Sequence, residues 1–481
     1  MKIIFVSLDT LRASRLGCYG YRLPTSPYLD RIAAEGVLFE KAYASDIPTE
    51  AAHTAVFTGR TGLSTGVVSH GSTLTQLPKS VDWLPSMLRA AGFATAAVDN
   101  LYQLKEWFAR GFKYYINSSN VRQRWIEGRA VNSLAIPWLE QHKDEPFFLF
   151  LHYWDAHTPY LPPEEHKYAF YPPGRDPYDP ENRSMDAAYN HLAYPFFKYH
   201  HYDLAGNVTD SAYFDAMYDA EIRGLDDRLR ELDDHLGRLG IREETLLVLF
   251  GDHGESLTEH DIYWDHCGLY EPTVHVPLIM RWPGVIPAGR RVGGFVRHVD
   301  IAPTILEAVR MGADFPGFDA AAVREPEGLD GQSLWPAIRG ESEGTTDTVF
   351  LSECAWQAAR GVRTGRYKYI RTYDPGLFRR PPCELYDLEK DPGETRNLVA
   401  ELPDVAAVLQ AKMDRWVADT LAGRDDPMKV QLTEEGLPFR RRIEAILAKA
   451  GMTWEDWFGD PRKERFDRAM ETARNKGGRK P

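Results

Sequence analysis

The sequence predicts an α/β protein: a mostly parallel sheet sandwiched by helices, plus a smaller C-terminal α+β subdomain. Three observations predict it. Four short segments are apolar throughout and alternate with helical patterns, as strands buried on both faces do. Three of these strands run into Asp and His residues at their carboxyl ends, where open α/β sheets place ligands. From about Thr345 the texture changes to short alternating strands separated by turns.

Taken in order, Lys2 to Leu8 reads as the first buried strand, and Thr25 to Ala34 and Thr49 to Thr58 have helical character. Phe93 to Val98 reads as a second strand. Val131 to Gln141 reads as a helix leading into the third strand, Pro146 to Leu151. Tyr213 to Leu239 is a long charged helix pattern, followed by the fourth strand, Thr245 to Phe250. Between Tyr160 and Asp210 lies a polar, Pro- and Tyr-rich insertion with His191, His200 and His201 and no clear period. Insertions of that length are usually functional, so an ordered substrate rim over 160–210 is expected.

In the last third, Thr348 to Glu353 and Ala359 to Thr372 read as short strands, and Cys383 to Pro392 as a strand breaking into a turn. Asn397 to Asp419 is an amphipathic helix. The expected organisation is a catalytic domain over 1–344, an α+β subdomain over 345–424 and a charged helical tail over 425–481. That tail is expected to serve a homo-oligomer contact, with Asn475 to Pro481 disordered.

Composition narrows the function. Among 481 residues, 57 Lys and Arg against 70 Asp and Glu give a charge of −13, which argues against nucleic acid as a partner. A chain 43% hydrophobic and 26% charged is not wholly disordered. Cys18, Cys267, Cys354 and Cys383 lie far apart and form no CxxC pair, so neither a disulfide framework nor a thiolate zinc site is expected. No apolar run approaches the roughly 20 residues of a spanning helix. The N-terminal apolar run ends at Asp9, too short for a signal peptide. A soluble, cytoplasmic protein with no membrane partner is expected.

The chemistry converges at strand ends. The first strand ends at Asp9, the fourth at Gly251-Asp252-His253-Gly254-Glu255, and the third at His152-Tyr153-Trp154-Asp155-Ala156-His157. Each cluster alone has an ordinary use, Asp9 as a helix cap or Asp252-His253 as turn residues. Three together predict a shared metal site. Mixed Asp and His donors suit Zn²⁺ or Mn²⁺ better than an all-oxygen Ca²⁺ or Mg²⁺ site, which stays open. Thr49 sits at a helix start, where backbone N–H groups favour an anion, and His53 shares its helix face.

Several stretches together resemble the sulfatase branch of the alkaline phosphatase superfamily. They are Asp9-Thr10-Leu11-Arg12 with Gly17-Cys18-Tyr19-Gly20-Tyr21, and Phe39 through Thr58-Gly59-Arg60. Further on come Gly251 to Glu255, Tyr270-Glu271 with Val276-Pro277-Leu278-Ile279, Gly361 to Tyr369, and Glu384 to Asp387 with Asp391 to Glu394. The resemblance implies an alkaline-phosphatase-like fold. It also implies a catalytic metal on Asp9, Asp252 and His253, with Thr49 at the nucleophile position touching that metal. His157 would contact the anionic group of an ester substrate. His266 falls where many sulfatases have a lysine, and Asn100 close to another.

The departures carry information. Sulfatases convert a Cys or Ser at the nucleophile into formylglycine, whose hydrate expels sulfate by breaking its own C–O bond. This chain has Thr49-Glu50-Ala51-Ala52-His53 there, and threonine cannot become that aldehyde. Threonine members of the superfamily handle phosphoryl groups. The chain is therefore expected to hydrolyse phosphorus esters, phosphodiesters or phosphonate monoesters, through Thr49 and a covalent phospho-enzyme. Asn100 would steady the oxyanion, and His157 or His266 would protonate the leaving group. With His266, Asp155 and His157 as ligands, a second metal would clamp the leaving oxygen; otherwise His266 simply hydrogen-bonds the substrate. The alternatives are a sulfuric ester hydrolase without formylglycine, a phosphoryl head-group transferase, and a binding module that kept the fold.

Overall fold

The computed structural model describes residues 1–117, 126–193, 208–312, 318–324, 326–459, 468, 471 and 472. His200 and His201 of the expected rim and the segment Asn475 to Pro481 lie outside them.

The large sheet is built from β1 (Lys2–Leu8), β2 (Val37–Tyr43), β4 (Ala94–Val98), β5 (Tyr114–Ile116), β6 (Phe147–Tyr153), β7 (Thr245–Gly251), β8 (His275–Val276), β9 (Leu278–Arg281) and β10 (Arg290–Arg297). Its order is β10-β2-β9-β7-β1-β6-β4-β5, with β8 on β2. β1 pairs in parallel with both β6 and β7, and β4 in parallel with β6 and β5. Only the β9 and β8 pairings are antiparallel.

β1, β6 and β7 are buried along their whole lengths. Two apolar cores flank the sheet, one holding Ile4, Val6 and Leu8 of β1 and the other Ile3 and Phe5. Alternate residues of one strand feeding opposite cores is why these strands read as continuous apolar runs. The helices Pro27–Glu35 and Ser211–Leu239 cover one face, and Thr49–Thr58 and Ile301–Met311 the other.

The small sheet runs β14 (Cys383–Asp387), β13 (Tyr367–Asp374), β12 (Ala358–Arg363), β11 (Val349–Cys354) and β3 (Asp46–Ile47). The last strand comes from the other end of the chain, with Ser352 opposite Asp46 and Glu353 opposite Ile47. The expected boundary at 344 is thus crossed by the sheet itself. The crossing segment leads directly into the Thr49–Thr58 helix.

Past Asp425 the chain forms helices Pro427–Glu434, Pro438–Lys449 and Trp454–Phe458. They fold back onto the molecule. Arg360 and Asp426, both buried, pair through two hydrogen bonds of 2.7 and 2.6 Å. Phe439 stacks on Trp356 with ring centres 4.6 Å apart. Phe439, Ile443, Ile446, Leu447 and Trp457 all join the main core. The apolar side chains of this charged tail are thus packed within the chain.

Candidate active site

The parallel register of β1 with β6 and β7 makes the site. Ser7 lies opposite His152, and Leu8 opposite both Tyr153 and Gly251, so three distant segments leave the sheet side by side. Asp9 N–H donates to Tyr153 O at 2.9 Å, fixing the first turn out of the sheet.

Asp9, Asp252 and His253 are fully buried and close enough to share one ion. Asp252 Oδ1 accepts from the backbone N–H groups of Thr10 (3.1 Å) and His253 (2.8 Å). Asp252 Oδ2 and Asp9 Oδ1 have no hydrogen-bond partner, and they lie 3.2 and 3.9 Å from His253 Nε2. His253 Nδ1 lies 3.1 Å from Gly254 O; donating its proton there leaves the Nε2 lone pair free. Two orphaned buried carboxylate oxygens beside an imidazole lone pair are costly without a cation and form a fitting donor set with one. Burial pushes Asp252 well above the usual carboxylate range, helped by the neighbouring Asp9.

Thr49 is the first residue of its helix, fully buried, with Oγ1 3.1 Å from His253 Nε2. The nucleophile candidate therefore stands on the same nitrogen the ion would use. His53 lies beneath it. Its Nδ1 donates to Thr49 O at 2.9 Å, and its Nε2 accepts from Ser7 Oγ at 2.8 Å. Burial holds its pKa down at about 3, so the ring is neutral. With both nitrogens engaged inside the protein, His53 braces the Thr49 helix against β1.

His266 stacks on His253 with ring centres 4.6 Å apart, and His157 lies against His266 at 5.0 Å. His157 Nδ1 donates to Thr158 O at 2.5 Å, and burial holds its pKa at about 4. Asn100, at the carboxyl end of β4, is buried and its Oδ1 has no hydrogen-bond partner.

Among the described residues, His266, Asp155 and His157 do not come together as a group that could hold an ion. Asp155 turns to the start of the Gly128–His142 helix, where its Oδ1 accepts from Gly128 N–H at 3.0 Å. A Cβ on Gly128 would come within 2.9 Å of both its oxygens. Asp155 and His157 share the lining of a cavity of roughly 230 Å³ with Glu127, Glu221 and Arg228. Among the described residues, only Asp9, Asp252 and His253 come close enough together to hold an ion.

His152 and Asp99 join this centre without having been assigned a role in the sequence. His152 Nε2 meets Asp9 Oδ2 at 3.0 Å and its Nδ1 meets Asp99 Oδ1 at 2.8 Å. Burial opposes its charge, but these two carboxylates outweigh burial and hold its pKa up at about 9. The signal was present: a histidine inside an otherwise apolar strand and an Asp directly after the next one.

The pattern of the sulfatase family matches residues 2–311, and that of the C-terminal region of N-sulphoglucosamine sulphohydrolase matches residues 258–419. The chain belongs to the sulfatase family. Among its relatives, an N-acetylglucosamine-6-O-sulfatase of Bacteroides thetaiotaomicron is 24% identical, covering 82% of each chain. Mouse arylsulfatase K is 31% identical over 52% of this chain and 44% of its own. The phosphonate monoester hydrolase of Agrobacterium radiobacter has the same fold, with a TM-score of 0.68 and 23% identity over 90% of this chain and 98% of its own. This sulfatase-family chain is thus an alkaline-phosphatase-like α/β ester hydrolase by family, and members of the family use divalent metal ions. No helix among its described residues is long and apolar enough to cross a membrane.

Proposed function

We propose that this chain is a metal-dependent hydrolase of phosphorus esters, phosphodiesters or phosphonate monoesters, with Thr49 as its nucleophile. The observation that carries this reading is Thr49 Oγ1 at 3.1 Å from His253 Nε2, at a helix start and on the donor set of Asp9 and Asp252. A divalent ion held by Asp9, Asp252 and His253 would supply Lewis acidity that acidifies the Thr49 hydroxyl and neutralises ester oxygens.

The chain's own groups do the rest. Thr49 Oγ gives up its hydroxyl proton to solvent and bonds to phosphorus as the ester P–O bond breaks, giving a phospho-threonine and the leaving alkoxide. The backbone N–H groups of Thr49 and Glu50 precede the first helical bonds, which run from Ala51 and Ala52 to Pro48 O, and suit the equatorial oxygens. Protonation of the leaving oxygen falls to His266. His157 Nδ1–H donates a hydrogen bond to Thr158 O, so its Nε2 carries the lone pair. That atom takes the proton of the water that attacks phosphorus as the Thr49 Oγ–P bond breaks, and solvent returns the proton to the threonine oxygen.

A second reading is hydrolysis of a sulfuric ester, with hydroxide in place of Thr49 as nucleophile. The sulfatase names of the curated relatives favour it. The deciding experiment presents one aryl leaving group on phosphate diester, phosphonate monoester, phosphate monoester and sulfate, to the wild type and to Thr49→Ala. Preference for a phosphorus ester that vanishes in Thr49→Ala supports the first reading. Preference for sulfate that survives in Thr49→Ala replaces it with the second.

A further inference from the structure

We propose that His152 is the positioning residue of the metal-binding carboxylate Asp9, and that Asp99 in turn locks the His152 ring. The proposal rests on the reading that Asp9, Asp252 and His253 hold an ion.

Asp9, His152, Asp99 and Tyr115 form one line across β1, β6, β4 and β5. Asp9 Oδ2 meets His152 Nε2 at 3.0 Å, and His152 Nδ1 meets Asp99 Oδ1 at 2.8 Å. Asp99 Oδ2 accepts from Leu101 N–H at 2.9 Å and from the Tyr115 hydroxyl at 2.5 Å. Asp9, His152 and Asp99 are 0, 0 and 1% exposed. A carboxylate turns about its last torsion with little preference. Tying Oδ2 to His152 selects one orientation and leaves Oδ1, which has no hydrogen-bond partner, as the ligand atom facing His253.

Stability alone does not account for the arrangement. β6 is otherwise Phe-Phe-Leu-Phe-Leu and Tyr, fully buried, and a further apolar residue would suit it without burying three ionisable groups. Partners one contact removed from a metal ligand orient it, and losing one typically costs metal affinity.

The test measures Zn²⁺ affinity of the metal-free full chain by chelator competition, with no ester present. His152→Gln places an amide N–H near the reach of Nε2, whereas His152→Asn places it near Nδ1, out of reach of Asp9. His152→Gln is expected to keep most of the affinity, and His152→Asn to lose about 10–100-fold. Both metal-free variants are expected to melt at similar temperatures. Equal loss in the two variants, or loss in neither, overturns the proposal. If neither variant folds, Asp99→Ala leaves the Asp9 contact atoms in place and must still weaken Zn²⁺; unchanged affinity then overturns it. A wild-type chain that binds neither Zn²⁺ nor Mn²⁺ sinks the metal reading itself, an outcome distinct from binding without discrimination between the variants.

Discussion

Thr49 Oγ1 and Asp252 Oδ2 converge on a single atom: the hydroxyl lies 3.1 Å and the carboxylate oxygen 3.2 Å from His253 Nε2. The proposed nucleophile and the proposed metal ligands are thus one cluster, and a change at either can be read separately through turnover and through metal content.

Thr49→Ala is expected to lower kcat by roughly 10³-fold or more while metal content per chain stays constant. Thr49→Ser keeps a hydroxyl at the same position and should retain part of the activity. Steady-state kinetics paired with elemental analysis of the same samples checks this. Loss of the ion from Thr49→Ala would mean that the hydroxyl is mainly a ligand.

Metal analysis should return one divalent ion per chain, because among the described residues only Asp9, Asp252 and His253 lie close enough to share an ion, and Asp155 Oδ1 accepts from Gly128 N–H. Asp155→Asn should leave that stoichiometry unchanged, and Asp252→Ala should abolish it. Two ions per chain in the wild type would restore the two-metal arrangement. At a free ion concentration 100 times Kd, binding should stabilise the fold by about 2.7 kcal/mol over the chelated form, seen as a raised melting temperature.

The contribution of Glu50 to the stability of the metal-free chain should fall as pH rises from about 5 to 8.5. Burial pushes Glu50 up to about 8, and also Asp46 and Glu353 to about 7 each. For Glu50, the folded chain keeps a proton that the unfolded chain releases near 4.5. Its stabilisation is therefore complete below that value and is lost as pH rises through about 8. Glu50→Gln removes this titration, so its melting temperature should decline less over the same range. Parallel declines in the two proteins would rule Glu50 out as the source.

Phe439→Ala should destabilise the fold by roughly 3–5 kcal/mol. Phe439 lies flat on Trp356 and 5.7 Å from the parallel ring of His70, and is 5% exposed. Denaturant unfolding followed by tryptophan fluorescence measures the loss. A change below about 1 kcal/mol would show that the tail is only loosely held.

Much of this molecule is legible along the chain. The strands ending at Asp9, at Asp252 and before His157 are apolar runs, which only a doubly covered sheet accommodates. The start of the Thr49 helix follows from its local residues. Local sequence alone therefore fixed the strands, the helix and the identity of the clustering side chains, because backbone propensity and burial period are properties of neighbours in sequence.

Tertiary structure decided what those side chains do. The sequence could not show that Asp155 would be captured by Gly128 N–H while His152, three residues earlier, would reach Asp9 and Asp99. Nor could it show that His53 would spend both nitrogens on Thr49 and Ser7, or that Asp46–Ile47 would complete a sheet built from residues some 300 positions away. These outcomes depend on strand register and on which face each side chain leaves. A buried polar atom goes to whichever partner the assembled fold brings within 3 Å or so, and that distance is set only when the whole sheet has closed.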